Sequence, residues 1–156
     1  MTYMISKIVL DSSILVEYVK QSKTKLLESL AGNDQHELCI NSAVLSEITF
    51  HWLALQGGKA PRTLQQRGRG EIPAILMSNY PLGIFLNQFT VLPSDDRIVP
   101  IYLDLMQRYN LLPNDALIIA TAKLHGILTV ASYDPDFKLV CTNEGIRLVR
   151  EVADLA

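Results

Sequence analysis

Four carboxylates stand at points where the chain changes from one kind of element to another. Asp11 follows the short apolar run Lys7-Ile8-Val9-Leu10 and precedes Ser12-Ser13. Glu47 lies in the second turn of a helical pattern, with Ala43, Val44, Phe50 and His51 three and four residues away. Asp115 opens another helical pattern, and Asp134 comes just after an apolar, β-branched run. Each has an ordinary explanation taken singly. Asp11 is a favoured helix N-cap. Asp115 complements a helix dipole. Asp134-Pro135 is a turn signal. Glu47 would sit at a rim or pair with His51. Gathered in one place, however, the four would repel one another and raise each other's pKa. A divalent cation relieves that repulsion, and an all-oxygen ligand set suits Mg²⁺ or Mn²⁺. No histidine or cysteine lies near enough in sequence to call for zinc. Such a centre activates a water and stabilises charge on a phosphodiester.

The elements decide whether they gather. Leu111 to Phe137 reads as one helix, one tight turn and one buried strand. Asn114 is placed to cap the helix and Gly126 to end it in a left-handed residue. Ile118, Ile119, Ala122 and Leu124 form its apolar stripe. Ile127 to Ala131 then reads as a strand covered on both faces. Upstream, Lys7–Leu10 is a strand and Ile14 to Val19 a helix. Thr24–Ala31 is helical, 38–40 is a second strand, and a helix runs from Asn41 or Ser42 to about Leu55. Phe89 to Leu92 is a third strand. Ser94-Asp95-Asp96 caps a helix to Tyr109, with both acids serving its dipole. Lys138–Cys141 and Ile146–Val149 are short edge elements. Strands alternating with helices predict a parallel sheet with helices on both faces and right-handed crossovers. In that fold Asp11 and Asp134 follow strand carboxyl ends, while Glu47 and Asp115 begin the helices beyond such ends. All four share the edge where open parallel sheets bind ligands.

The chain has 156 residues, which predicts one domain over 1–156. At 49% hydrophobic and 19% charged it is globular and not disordered. No apolar run is long enough to span a bilayer, and no signal peptide is evident, so the expectation is a cytoplasmic protein away from membranes. Cys39 and Cys141 read as small core residues. The net charge of −2 argues against broad electrostatic coating of nucleic acid, but not against local contacts. Residues 56–70 are the least regular stretch. Lys59, Arg62, Arg67 and Arg69 there face no acid before Glu71, as either a solvated connector or a loop gripping a phosphate backbone.

These residues carry a likeness. Asp11-Ser12-Ser13 after a first strand, Glu47 in Ser-Ala-Val-Leu-Ser-Glu-Ile, Asp115 in Leu-Pro-Asn-Asp-Ala-Leu-Ile-Ile-Ala-Thr-Ala and Asp134 in Ala-Ser-Tyr-Asp-Pro-Asp-Phe together resemble the PIN-domain family. Within it, the likeness is to the VapC-type toxins of prokaryotic toxin–antitoxin pairs, and it covers nearly the whole chain. The resemblance implies a Mg²⁺- or Mn²⁺-dependent endoribonuclease acting on single-stranded RNA. It implies Asp11, Glu47, Asp115 and Asp134 as the acidic site, with Ser13 supporting the first acid. It also implies a homodimer and a small antitoxin that blocks the site. The chain departs from the family pattern in three places. Ser132 stands where a threonine is frequent, which keeps the hydroxyl. Asp136 could share the fourth acid's role. The glycine-rich stretch at 56–70 fits poorly.

Rival readings are narrower. A Mg²⁺-binding receiver-like signalling domain needs a phosphoacceptor aspartate after a central strand and a nearby lysine; the third strand ends instead in Leu92-Pro93. A phosphatase of the Asp-x-Asp type needs an acid two residues after Asp11, where Ser13 stands. A non-catalytic interaction protein on the same scaffold would not need all four acids.

Overall fold

A computed structural model of the chain describes residues 4–66, 70–78 and 80–156. Arg67 and Arg69 lie outside the described residues. The chain runs β1 (Ser6–Leu10), α1 (Ser12–Val19), α2 (Lys25–Ala31), β2 (His36–Ile40), α3 (Ser42–Gly57), α4 (Pro61–Gln66), α5 (Glu71–Leu76) and α6 (Leu82–Leu86). It continues through β3 (Thr90–Val91), α7 (Ile98–Tyr109), α8 (Pro113–Leu124), β4 (Thr129–Ala131), α9 (Phe137–Glu144) and β5 (Arg147–Val149) to a closing 3-10 turn, Val152–Leu155.

The sheet is wholly parallel, in the order β3-β2-β1-β4-β5. β1 therefore lies between β2, which follows it, and β4, which comes more than a hundred residues later. That reversal between β1 and β4 is a topological switch point, where the loops beyond neighbouring strands diverge and leave a crevice. The register is short there: Val9 pairs with Val130 and Leu10 with Ala131. Beyond it, the Asp11 N–H donates to the Ala131 carbonyl at 2.9 Å. This order also disposes of the receiver-like alternative, because β3 is a two-residue edge strand and not a central one.

Apolar runs place the core as expected. Val9, Leu10, Cys39, Ile40, Val130 and Ala131 are fully buried strand residues. On α8, Ile118, Ile119 and Ala122 pack inward, as their spacing implies. Gly126 adopts φ +64, the left-handed conformation that turns α8 into β4 without a Cβ penalty. Both cysteines are buried and free, and burial pushes the Cys39 thiol up to about 11 and that of Cys141 to about 12.

Several expectations need correction. Where a short edge element was expected over Lys138–Cys141, Phe137–Glu144 is a helix, because Phe137, Val140 and Cys141 fall on one helical face and are buried together. The β4 strand is only Thr129–Ala131; the Ile127 N–H is still bound back to the Ala122 carbonyl of α8. Asn114 does not cap α8. Pro113 occupies the first helical turn, where its missing N–H costs nothing, and the cap falls on Leu112. Asp95 and Asp96 precede α7 without entering its first turn, and Asp95 binds Arg97 instead. Residues 56–66 hold more order than expected, since α3 persists to Gly57 and α4 begins on Pro61 around the buried Leu64.

Candidate active site

Asp11 stands at the N-cap of α1, yet its side chain caps no helical N–H. The carboxylate is 5% exposed, so it needs partners in the protein. It finds them in two hydroxyls. Ser13 Oγ and Ser132 Oγ each donate to Oδ2 at 2.7 Å. A hydroxyl has one proton and can also accept. Ser13 Oγ accepts the Tyr133 N–H at 3.1 Å, and Ser132 Oγ accepts the Asp134 N–H at 3.0 Å. The two serines thereby tie the exit of β4 to the acid at the exit of β1.

That tie sets the course of the following loop. Asp134 Oδ1 accepts the Asp136 N–H at 2.9 Å, closing a tight turn around Pro135. The turn brings both carboxylates to Asp115, in the first turn of α8. One carboxylate oxygen each of Asp115, Asp134 and Asp136 lies within 4.8 Å of the other two. Asp136, offered by sequence only as a sharer of the last acid's role, is a full member of this group.

Asp11 and Glu47 border the triad. Partial burial pushes the Asp115 carboxyl up to about 6, and the charges of Asp11, Asp134, Asp136 and Glu47 push in the same direction. All four acids singled out from sequence thus act on one place. Glu47 does not pair with His51; Asn114 donates to its Oε1 from the first turn of α8. Sequence reasoning missed Asn114, whose position beside Asp115 in an Asn-Asp first turn was the available signal.

The proposed basic contacts are more remote. Lys59 lies in the turn after α3 and Arg62 near the start of α4, both exposed. From Glu47 to the end of α3 at Gly57 is about 15 Å along the helix axis, and Lys59 follows that end.

The geometry has counterparts. The family model described as "PIN domain" matches residues 8–143. Ribonuclease VapC2 of Methanocaldococcus jannaschii is 34% identical over 142 residues, covering 86% of this chain and 89% of the relative. Ribonuclease VapC6 of the same organism is 30% identical over 162 residues, covering 94% and 98%. Among solved structures, DNA-bound VapBC from Salmonella typhimurium superposes with a TM-score of 0.61 at 17% identity, covering 92% of this chain and 97% of that one. A toxin–antitoxin complex from Klebsiella pneumoniae gives 0.58 at 20% identity, covering 84% and 90%. These structures share the fold; the family model and the two relatives carry the kinship, and on that basis the chain belongs to the PIN-domain family.

Proposed function

We propose that the chain is a metal-dependent endoribonuclease that cleaves single-stranded RNA, the toxin of a toxin–antitoxin pair. The observation that carries this reading is the convergence of acids on Asp115, whose carboxyl is pushed up to about 6. Two relatives named ribonucleases and neighbours solved as toxin–antitoxin complexes support it. In this reading residues 1–156 form one nuclease domain, which acts in the cytoplasm as a homodimer and is silenced by an antitoxin covering the acids.

The donor set fits Mg²⁺ or Mn²⁺. Asp115, Asp134 and Asp136 present oxygens close enough to share one ion, and no imidazole or thiolate belongs to the group. Asp11 and Glu47 complete the acid shell. Bound there, the ion would neutralise the cluster and polarise a water and the scissile phosphate. The protein's own part is placement. Ser13 and Ser132 hold Asp11 in one orientation. The Asp134–Asp136 turn fixes two carboxylates against Asp115. Asn114 aims Glu47, which orients the attacking water. Lys59 and Arg62 serve as outer backbone contacts.

The test is a mixed pool of single-stranded RNA incubated with Mn²⁺ or Mg²⁺, with EDTA as control. Cleavage should require the metal and fall on the order of 10²-fold or more in Asp11→Asn and Asp115→Asn chains that still fold. A wild-type rate in either variant under limiting metal would show the site to be wrongly assigned.

A further inference from the structure

The loop that carries Asp134 also forms a wall of a second feature. Tyr133 lies between Ser132 and Asp134 and lines an open cleft of about 740 Å³, together with residues 22–26 and with Arg150, Glu151, Val152 and Asp154. That volume lies within the usual range for a bound small ligand. Tyr133 is held from both directions: its N–H donates to Ser13 Oγ, and its carbonyl accepts from the Arg150 guanidinium at 2.9 Å.

The cleft contains both signs of charge, but the acids are already engaged. Asp154 Oδ2 accepts the Arg150 and Glu151 N–H groups, and Glu151 closes the reciprocal capping box of the terminal turn. Among the described residues neither Lys23, Lys25 nor Arg150 enters an ion pair. The buried Nε of Arg150 has no acceptor. Lys23 Nζ rests 4.6 Å from the centre of the Tyr133 ring, a cation–π contact on a face that a nucleobase could equally occupy. An aromatic face beside cations that form no ion pair is the usual composition of a single-strand binding groove. Tyr133 directly precedes Asp134 in the chain, whereas Lys59 and Arg62 follow the end of α3.

We propose that this cleft is the subsite for nucleotides adjoining the scissile phosphate of single-stranded RNA, with Tyr133 stacking a base and Lys23 and Lys25 holding phosphates. The assignment deepens the ribonuclease reading and rests on it. RNA is favoured over a protein segment because the cleft sets an aromatic face among cations that form no ion pair, and because its aromatic wall, Tyr133, directly precedes Asp134 and shares Ser13 with Asp11.

The test uses the full chain and a fluorescein-labelled single-stranded RNA 12-mer of mixed sequence, followed by anisotropy in EDTA so that no cleavage intervenes. Tyr133→Ala should weaken binding about tenfold, and Tyr133→Phe should restore it, because stacking needs the ring and not the hydroxyl. Lys23→Gln with Lys25→Gln should lower the slope of log Kd against log salt by about 0.7 for each phosphate that is no longer neutralised. A merely structural role would leave that slope unchanged. With Mn²⁺ present, the weakening should appear in KM and not in kcat. A wild-type chain that does not bind the 12-mer overturns the proposal. So do variants with wild-type affinity and salt slope, which would leave the cleft to a protein partner. Failure of the ribonuclease reading looks different: the wild-type chain binds the 12-mer but cuts no RNA with either metal.

Discussion

Ser132 has one hydroxyl proton and donates it to Asp11, while its lone pair takes the Asp134 N–H. It is completely buried, so no water can replace it. Ser132→Ala therefore takes one hydroxyl donor from the buried Asp11, leaving it Ser13, and leaves the Asp134 N–H without its acceptor, which costs about 1–3 kcal/mol. For a chain of this size that is roughly 2–4 °C of melting temperature per kcal/mol. Cleavage should fall further than stability suggests, because the serine orients Asp11 and starts the turn that delivers Asp134 and Asp136. Thermal melting and an RNA cleavage assay on the same preparation check both; an Ala variant with unchanged melting and cleavage would remove Ser132 from the site. Much of this site was legible beforehand. Strand ends and helix starts are one-dimensional signals, so Asp11, Glu47, Asp115 and Asp134 could be placed on one edge. Asp136 and Asn114 could not be ranked, because their roles depend on a backbone turn and on a side chain crossing from α8 to α3.

Glu144, the last residue of α9, joins three helices. It accepts from Arg108 and Tyr109 on α7 and from Lys123 on α8. Burial opposes its ionisation, but the hydrogen bonds from Lys123, Tyr109 and Arg108 outweigh that and hold its carboxyl down to about 2. A depressed carboxyl stabilises the folded state above its ordinary pKa, about 4.5 for glutamate, and the contribution fades as pH falls toward 2. Glu144→Gln should thus cost about 1–2 kcal/mol at pH 7, after allowance for half-exposed cationic partners. Urea titrations at a series of pH values should show wild type and variant converging between pH 4.5 and 2; a gap that stays constant would mean the ion pairs contribute nothing. The helix that ends on Glu144 is also where sequence reading failed at this scale. It is eight residues long, begins after an Asp-Pro turn and carries only three buried residues, so its period is hard to separate from that of a short strand. The β2 strand starts two residues earlier than its apolar run because His36 and Glu37 pair with Ser6 and Lys7, and pairing partners are not written in local hydropathy. Long periodic segments such as α3, α7 and α8 were readable because packing and propensity agree there.

Across the whole molecule, the proposed metal-dependent reading predicts that cation binding at the acid cluster is coupled to folding. Asp115 is pushed up to about 6 from an ordinary value of 3.8, so between those values the folded chain holds a proton that the unfolded chain has lost. Stability without metal must therefore fall as pH rises through that window. A cation that binds the clustered carboxylates of the folded state reverses the penalty, because the unfolded chain has no such cluster. With Mn²⁺ at a hundredfold excess over its dissociation constant the gain is about 2.7 kcal/mol, or roughly 5–10 °C in melting temperature. That gain should be full well above pH 6 and shrink toward pH 4 as Asp115 takes up its proton in competition with the ion. An Asp115→Asn, Asp134→Asn chain should melt at or above the wild-type temperature at pH 7.5 in EDTA, because repulsion is relieved, and should gain nothing from Mn²⁺. Melting curves for both chains, with and without Mn²⁺ at pH 5.0 and pH 7.5, decide the matter. A wild-type chain indifferent to Mn²⁺ at pH 7.5 would mean that the acids repel one another without serving a cation, and the metal-dependent reading of this protein would fall with them.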